Sequence, residues 1–315
     1  MSEKNKIPEV DIIIDEKAGV IREVKPEKLR SKKGHERRVN GSIYTVLVIM
    51  SIIWLAPFVF LVFQSFRSYL TESGGMVNYL LPKQWSLDNY TWLLTDPSSD
   101  FLRWYGNTLI IALFCSVLQT FMVLSVSYTL SRLRFRGRKL IMNVVLVLGM
   151  FPGFLTMIIL YFLLRQLGLT QTGAVPGLIL IYVASSGMGY YISKGFFDTI
   201  PKSLDESARI DGATRSQVFR MIIMPLAKPI VIYTILMAFM APWGDYVFAS
   251  YVAFGSEPNF NVAVGLFRWV NVNDYQGYFT RFCAGGVLVA VPITALFMAL
   301  QKYYVEGVTG GAVKG

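Results

Sequence analysis

Residues 201–225, PKSLDESARIDGATRSQVFRMIIMP, contain the polar side chains whose spacing is most informative. Ser203 and Glu206 have the Ser-x-x-Glu spacing of a capping box, in which a hydroxyl and a carboxylate each satisfy a free backbone N–H at a helix start. Thr214 and Gln217 repeat the pattern as Thr-x-x-Gln. The chemistry open to such a segment is hydrogen bonding to a partner. The sequence therefore predicts two short capped helices that form a rigid, protein-facing knob.

The turn inside this knob is an Asp-Gly pair, Asp211-Gly212. Glycine permits a tight reversal and the close backbone approach of a docked partner. Asp205 and Arg209 are spaced i, i+4, so we expect them to pair on the exposed face of the first helix. The alternative is an interfacial helix lying on lipid, which is disfavoured because few apolar positions precede Val218.

Residues suited to covalent catalysis are scarce. The chain has one histidine, His35, and two cysteines, Cys115 and Cys283, too few for a metal-ligand cluster or a His-based triad. The glycine-rich tail, GVTGGAVKG, lacks the Gly-x-x-x-x-Gly-Lys-Ser/Thr spacing of a P-loop. We therefore expect no catalytic residue, no metal site and no cofactor in this chain.

The strongest polar feature inside an apolar run is Trp243-Gly244-Asp245-Tyr246. A charge at the centre of a membrane helix costs about 2.5–3.5 kcal/mol on insertion scales. Counting from Ile230 at 1.5 Å per residue, Asp245 lies about 22 Å along the helix. We expect sugar hydroxyls to donate to this carboxylate while ring faces stack on Trp243 or Tyr246. The alternative is an interfacial aromatic belt with a snorkelled aspartate.

A break within another apolar run is predicted at Met150-Phe151-Pro152-Gly153, where proline removes a backbone donor. Broken backbone at membrane depth is tolerated only against protein or a cavity, so we expect Phe151, Pro152 and Tyr161 to line a path through the membrane. A simple packing kink is the alternative. Residues 251–283 are rich in aromatic rings, which indicates either a binding surface or a loop folded onto its own bundle.

Membrane helices must position all of these residues. The chain is 54% hydrophobic with a mean hydropathy of +0.47, above ordinary soluble domains. Apolar runs of about 20 residues can cross a ~30 Å hydrocarbon core. The predicted fold class is all-α, a polytopic membrane protein with six transmembrane helices. The predicted spans are 43–66, 107–131, 140–164, 174–194, 230–250 and 284–304.

Basic residues orient these spans. Lys and Arg number 24 in alternate loops and termini and 6 in the loops between them, which is the bias of the positive-inside rule. Both termini and residues 195–229, which contain the knob, are therefore predicted to be cytoplasmic. Residues 1–42, with 11 basic and 8 acidic side chains, are predicted to be a flexible cytoplasmic arm, with a short strand at 9–15 as the alternative. Residues 305–315 form the predicted cytoplasmic tail.

The knob resembles the EAA loop of bacterial ABC importer permeases. That family has Glu-Ala-Ala, three residues, Gly, nine residues and then Ile-x-Leu-Pro; this chain has Glu206-Ser207-Ala208, Gly212, Ile222, Met224 and Pro225. This chain departs from the family pattern at Ser207, where the family has Ala, and at Met224, where it has Leu, and both differences change the side-chain size only slightly. Asp211-Gly212-Ala213-Thr214 looks like the carbohydrate-uptake branch. With Met150-Phe151-Pro152 and the tail, the resemblance covers roughly residues 43 to 315 and is strongest to the second membrane subunit of maltose/maltodextrin-type importers.

This resemblance implies a bacterial cytoplasmic-membrane subunit that pairs with a second permease subunit. Two copies of a cytoplasmic ABC ATPase would bind ATP and Mg, and an extracytoplasmic sugar-binding protein would deliver an oligosaccharide. The residues that it implies for ATPase docking are Ser203, Glu206, Ala208, Asp211, Gly212 and Pro225. It also implies that the tail, with Gly310, Gly311 and Lys314, reaches the interface between the ATPase subunits.

Other function classes fit less well. A stand-alone secondary carrier commonly shows internal repeats and intramembrane ionisable residues, and here Asp245 is the one acid inside a predicted span. An intramembrane protease or acyltransferase needs a nucleophile and a base within the spans, which contain no histidine. Nucleic-acid binding is disfavoured because the predicted spans leave no binding domain and the excess basic charge serves topology.

Overall fold

The structure is a computed structural model that describes residues 12–15, 20–23, 26–72, 75–77, 79–151, 153–271 and 275–312, with side chains described between residues 39 and 303. The chain divides into two compact units, Met1–Phe60 and Leu61–Gly315.

The first unit contains a two-stranded ribbon and most of one long helix. Strands β1 (Ile12–Asp15) and β2 (Val20–Glu23) pair antiparallel, with Ile12 opposite Glu23. Helix α1 (Pro26–Ser65) follows, and its last turn belongs to the second unit. The helix starts well before the predicted span at 43, because proline is favoured in a first helical turn and the basic and acidic residues after it are good helix formers. The segment predicted as a flexible arm thus contains regular structure.

The second unit is helical in its described residues. It contains α2 (Tyr69–Glu72), α3 (Asp88–Thr95), α4 (Phe101–Arg132), α5 (Arg138–Gly149), α6 (Gly153–Gln166), α7 (Ala174–Ala184) and α8 (Gly187–Thr199). These are followed by α9 (Ser203–Ile210) and α10 (Arg215–Gln217), which continues as a π-helix (Val218–Ile223) into α11 (Met224–Leu226). The chain then forms α12 (Lys228–Gly244), α13 (Val247–Val252), α14 (Val262–Asn271) and α15 (Tyr275–Ala312).

Four helical segments in the described residues are long and apolar enough to cross a membrane: Val39–Ser65, Phe101–Arg132, Gln171–Thr199 and Gly277–Tyr303. Two bent pairs satisfy the same criteria together, Arg138–Gly149 with Gly153–Gln166, and Arg215–Leu226 with Lys228–Gly244, the latter bent by 80°. The described chain thus has four candidate spans, or up to six when each bent pair is one span.

The helix of the predicted span 230–250 is interrupted in the structure. Helix α12 ends at Gly244, and Asp245 has an extended backbone, with φ −79° and ψ 97°. The carboxylate of Asp245 accepts the backbone N–H of Phe248 at 3.0 Å, so it satisfies a free donor at the start of α13. A polar side chain able to begin a new helix explains the break.

Helix α4 organises the second unit, packing against α12, α8, α7 and α14. Its residues Ile111, Ala112 and Cys115 are completely buried in the main hydrophobic cluster. A second cluster surrounds Leu124 nearer the other end of the helix. Because α4 has 32 residues, its ends lie about 48 Å apart. The two clusters therefore stabilise different ends of the bundle.

The end of the bundle where α4 begins is held by aromatic and polar contacts. The Arg281 guanidinium lies 3.8 Å from the ring centroids of both Tyr69 and Trp92, which joins α15 to α2 and α3. The buried Asn89 amide donates to the carbonyls of Ser65 and Arg67 at 3.0 and 2.8 Å.

Candidate functional site

The predicted knob is present as α9, a turn and α10, but the first capping box is wrong. Helix α9 is preceded by Lys202, whose backbone is already helical (φ −68°, ψ −23°) and whose side chain makes no capping bond. Ser203 is therefore the first helical residue, one position too late to cap. The N–H of Glu206 donates instead to the carbonyl of Lys202 at 3.1 Å. This leaves the side chains of Ser203 and Glu206 exposed on the surface of the knob.

The turn after α9 has the geometry of a Schellman motif. Gly212 has φ +85°, in the left-handed region that glycine adopts readily. Its N–H donates to the carbonyl of Arg209 at 3.1 Å, and the N–H of Ala213 donates to that of Ala208 at 2.9 Å. These two bonds satisfy carbonyls at the end of α9 and fix the direction of the chain. The predicted role of Gly212 in the reversal is confirmed.

The second capping box is confirmed. The Thr214 hydroxyl accepts the N–H of Gln217 at 3.3 Å, and the Gln217 side-chain oxygen accepts the N–H of Thr214 at 2.8 Å. Both groups that would otherwise lack partners at the start of α10 are satisfied. The turn and the start of the second helix are therefore rigid by local hydrogen bonding alone.

A buried ion pair anchors the knob to the bundle. Arg132, at the end of α4, has its Nε 3.5 Å from Oδ2 of Asp205, and the two side chains are 2% and 12% exposed. Arg132 Nη2 also donates to the carbonyls of Phe197 and Ile200 at 3.0 and 2.8 Å. The expectation that Asp205 pairs with Arg209 on an exposed face is wrong, because Asp205 points into the bundle and reaches this distant arginine.

The predicted docking residues divide into an exposed group and a buried one. Ala208 is buried and packs in the second hydrophobic cluster with Phe197, Val218 and Ile223. Its small side chain therefore lets α9 lie close to the bundle. The remaining docking residues are exposed: Ser203, Glu206, Asp211, Gly212 and Pro225.

Four exposed apolar residues of the loop were not among the sequence candidates. They are Ile210 at 86% exposed, Met221 at 72%, Leu226 at 49% and Leu204 at 40%. Ile210 is the last residue of α9 and immediately precedes the turn. An isolated large apolar residue before Asp-Gly was the available sequence signal. Such residues beside charged ones are typical of a surface that a protein partner covers.

The Asp245 carboxylate, for which a sugar contact is predicted, makes hydrogen bonds within the chain. Besides the N–H of Phe248, the carboxylate accepts the hydroxyl of Tyr182 through Oδ2. The Asn261 amide donates to the Asp245 carbonyl at 2.7 Å. Asp245 thus ties α7 and the segment before α14 to the break between α12 and α13. Its side chain remains half-buried rather than enclosed.

The two aromatic neighbours of Asp245 differ in their surroundings. Trp243 is 4% exposed and lies 5.2 Å from the ring of Tyr105 and 5.9 Å from that of Phe239. It therefore belongs to the core. Tyr246 is half-buried, with its ring 4.1 Å from that of Phe267, and it lines a surface cavity of about 250 Å³.

The other path candidates lie on α5, α6 and their junction. Phe151 is 58% exposed, Tyr161 is half-buried with its ring 5.8 Å from that of Phe162, and Pro152 lies outside the described residues. Backbone at Gly310 and Gly311 belongs to helix α15, and Lys314 lies outside the described residues.

The aromatic residues of 251–283 are partly folded back on the bundle. The ring of Trp269 lies 5.5 Å from that of Trp92 and 5.2 Å from that of Trp104, and Phe260 is 6% exposed. Phe254 and Tyr251 remain 74% and 61% exposed. Within the described residues, no group of three or more His, Cys, Asp or Glu side chains is placed to hold a metal ion.

Comparison with known proteins agrees with this geometry. Residues 122–310 match the family model described as the binding-protein-dependent transport system inner membrane component. The galactooligosaccharides transport system permease protein GanQ of Bacillus subtilis is 35% identical over 275 residues, covering 86% of this chain and 94% of that protein. The maltodextrin transport system permease protein MalD of Streptococcus pneumoniae is 36% identical over 284 residues, covering 89% and 98%.

A solved bacterial ABC transporter involved in import of the acidic polysaccharide alginate has a chain with a TM-score of 0.70 and 26% identity. The match covers 85% of this chain and 98% of that one. The family resemblance predicted from the loop is thereby confirmed. The chain is a membrane-embedded member of the family of binding-protein-dependent transport system inner membrane components, the permease subunits of ABC transporters.

Proposed function

We propose that this chain forms half of the translocation path of an ATP-driven importer for oligosaccharides, with maltodextrin-like sugars favoured. The relatives named for galactooligosaccharide and maltodextrin transport support the substrate class. In this proposal the two bent helix pairs complete six spans, and both termini and the loop from α9 to α11 face the cytoplasm.

The observation that carries the proposal is the construction of that loop. Its outer surface presents Ile210 and Met221 to a partner, while its inner surface is fixed by Asp205 to Arg132 at the end of a membrane helix. A rigid protrusion of this kind transmits displacement, because local hydrogen bonds prevent it from deforming. The proposed partner is a separate ABC ATPase that binds ATP and Mg, in two copies.

Displacement of α9 would reach two membrane helices together. Arg132 ends α4, and its neighbour Ser131 donates to Asp198 of α8 at 2.6 Å. Movement at the loop would therefore shift α4 and α8 together, because these two helices pack against each other. The shift would alter the translocation path that the helices border. A second permease subunit would supply the other half of the path, and a sugar-binding protein would deliver the substrate. An alginate transporter of similar structure was solved in complex with a periplasmic protein.

Reconstitution in liposomes tests this proposal. The complete complex should take up labelled maltooligosaccharides only with internal ATP and the binding protein present. Galactooligosaccharide and alginate fragments, tested alongside, report the substrate class. Equal sugar uptake by this chain without any ATPase would contradict the proposal and indicate a stand-alone carrier.

A further inference from the structure

A polar cleft lies where the membrane helices meet the knob. It has a volume of about 450 Å³ and lies between the segment joining α4 to α5 and the inner side of α9 and α10. Six basic side chains line it, against two acidic ones, Asp205 and Glu206. The basic residues are Arg132, Arg134, Arg138, Lys202, Arg209 and Arg215.

The base of the cleft contains an unsatisfied arginine. The side chain of Arg132 is 2% exposed, and its Nη1 is buried with no hydrogen-bond partner among the described residues. Its Nη2 bonds hold the guanidinium plane in a fixed direction. Arg132 Nε and Asp205 Oδ1 are also buried without a hydrogen-bond partner in the described part of the chain. Because an unmet buried charged donor is costly, the site favours a bound group that accepts from Arg132.

The charge of the cleft indicates an anion. Like charges this close repel one another, and the basic side chains exceed the acidic ones by four. A phosphate group suits the site because it offers several acceptor oxygens at once to guanidinium groups. Within the same segment, Arg134 and Arg138 lie just beyond the end of one membrane helix and at the start of the next. Basic pockets beside the ends of membrane helices bind the headgroups of anionic lipids.

We propose that this cleft binds a phosphate group, supplied by the headgroup of an anionic lipid, and that the bound phosphate joins the membrane bundle to the knob. The inference needs only the membrane location of the chain and not the proposed sugar transport. Arg132 would contact the phosphate from the base, Arg134 and Arg138 from the membrane side, and Lys202 and Arg215 from the knob.

The test is native mass spectrometry of the purified complex with phosphatidylglycerol, and with phosphatidylcholine as a zwitterionic comparison. The double variant Arg134→Gln/Arg138→Gln removes two lining charges, which should weaken phosphatidylglycerol binding about 30-fold. The matched control is Arg136→Gln/Lys139→Gln, which removes two charges from the same segment outside the cleft lining. We expect that control to bind within about threefold of the unmodified protein.

Competition identifies the source of the phosphate. Retention of phosphatidylglycerol in millimolar inorganic phosphate supports a lipid headgroup, whereas displacement supports the phosphate site but assigns it to a soluble ion. Equal binding by the two double variants, or equal binding of phosphatidylcholine, would overturn the proposal. If the double variant does not fold, Arg134→Gln alone, at an exposed residue, should still weaken binding about fivefold.

Discussion

Replacing Asp205 by alanine should release α9 from the bundle. The substitution leaves Arg132 buried and charged, with two carbonyl acceptors and no carboxylate. Breaking a buried ion pair by removing one partner costs about 3–5 kcal/mol. Because Arg132 keeps its two hydrogen bonds to backbone carbonyls, we expect a cost at the lower end of this range, about 3 kcal/mol. An energy of that size raises the fraction of molecules with a detached α9 about a hundredfold.

Hydrogen–deuterium exchange measures this detachment directly. Amides of residues 203–213 in the Asp205→Ala protein should exchange about a hundredfold faster than in the unmodified protein, while those of α4 near Ile111 keep their protection. Ser207→Ala is the matched control, because this exposed side chain lies on the same helix outside the cleft lining. It should change exchange by about twofold or less.

Two results would refute this reasoning. Unchanged exchange over 203–213 in Asp205→Ala would show that the ion pair does not anchor the knob. An equal acceleration in Ser207→Ala would show that loss of the ion pair is not what accelerates exchange.

Three further substitutions have defined outcomes. Gly212→Val should lower ATPase co-purification about tenfold, because a β-branched residue is strained at the positive φ of this position. Gly212→Asn should retain the ATPase, since asparagine tolerates a positive φ. The space around Gly212 is open, so a steric clash is excluded as the cause. Gly265→Ala would place a methyl carbon 1.9 Å from the ring of Trp104 and should lower the free energy of unfolding, measured by thermal denaturation, by about 1–3 kcal/mol. Gly195→Ala, whose added methyl group would contact no neighbouring atom of the described residues, should be nearly neutral. Asp245→Ala removes two side-chain hydrogen bonds and should lower stability by about 2 kcal/mol, with an unchanged melting temperature as the contrary result.

Features that depend on neighbouring residues could be predicted from the sequence. The Thr214–Gln217 capping box and the turn at Gly212 form from groups a few residues apart, so their spacing determines their geometry. Helix α4 agrees with its predicted span because a long apolar run has one stable form in lipid.

Features that depend on residues far apart in the sequence could not be predicted from it. Asp205 has an arginine at i+4, yet it pairs with one on a different helix, and local spacing carries no information about that choice. Ser203 has the right spacing for a cap, but the backbone of Lys202 starts the helix one residue early. Asp245 accepts a hydrogen bond from Tyr182, a partner that only the tertiary fold brings near, while its contact with a sugar stays a prediction.

Co-purification tests the central claim, that the loop from α9 to α11 docks a separate ATPase. The tagged chain, solubilised from its native membrane, should retain a P-loop ATPase with measurable ATP hydrolysis. Ile210→Asp should abolish this association, because it places a charge in the exposed apolar tip, and Ile210→Met should preserve it. Full retention of the ATPase by Ile210→Asp would contradict the claim that this loop is the docking site.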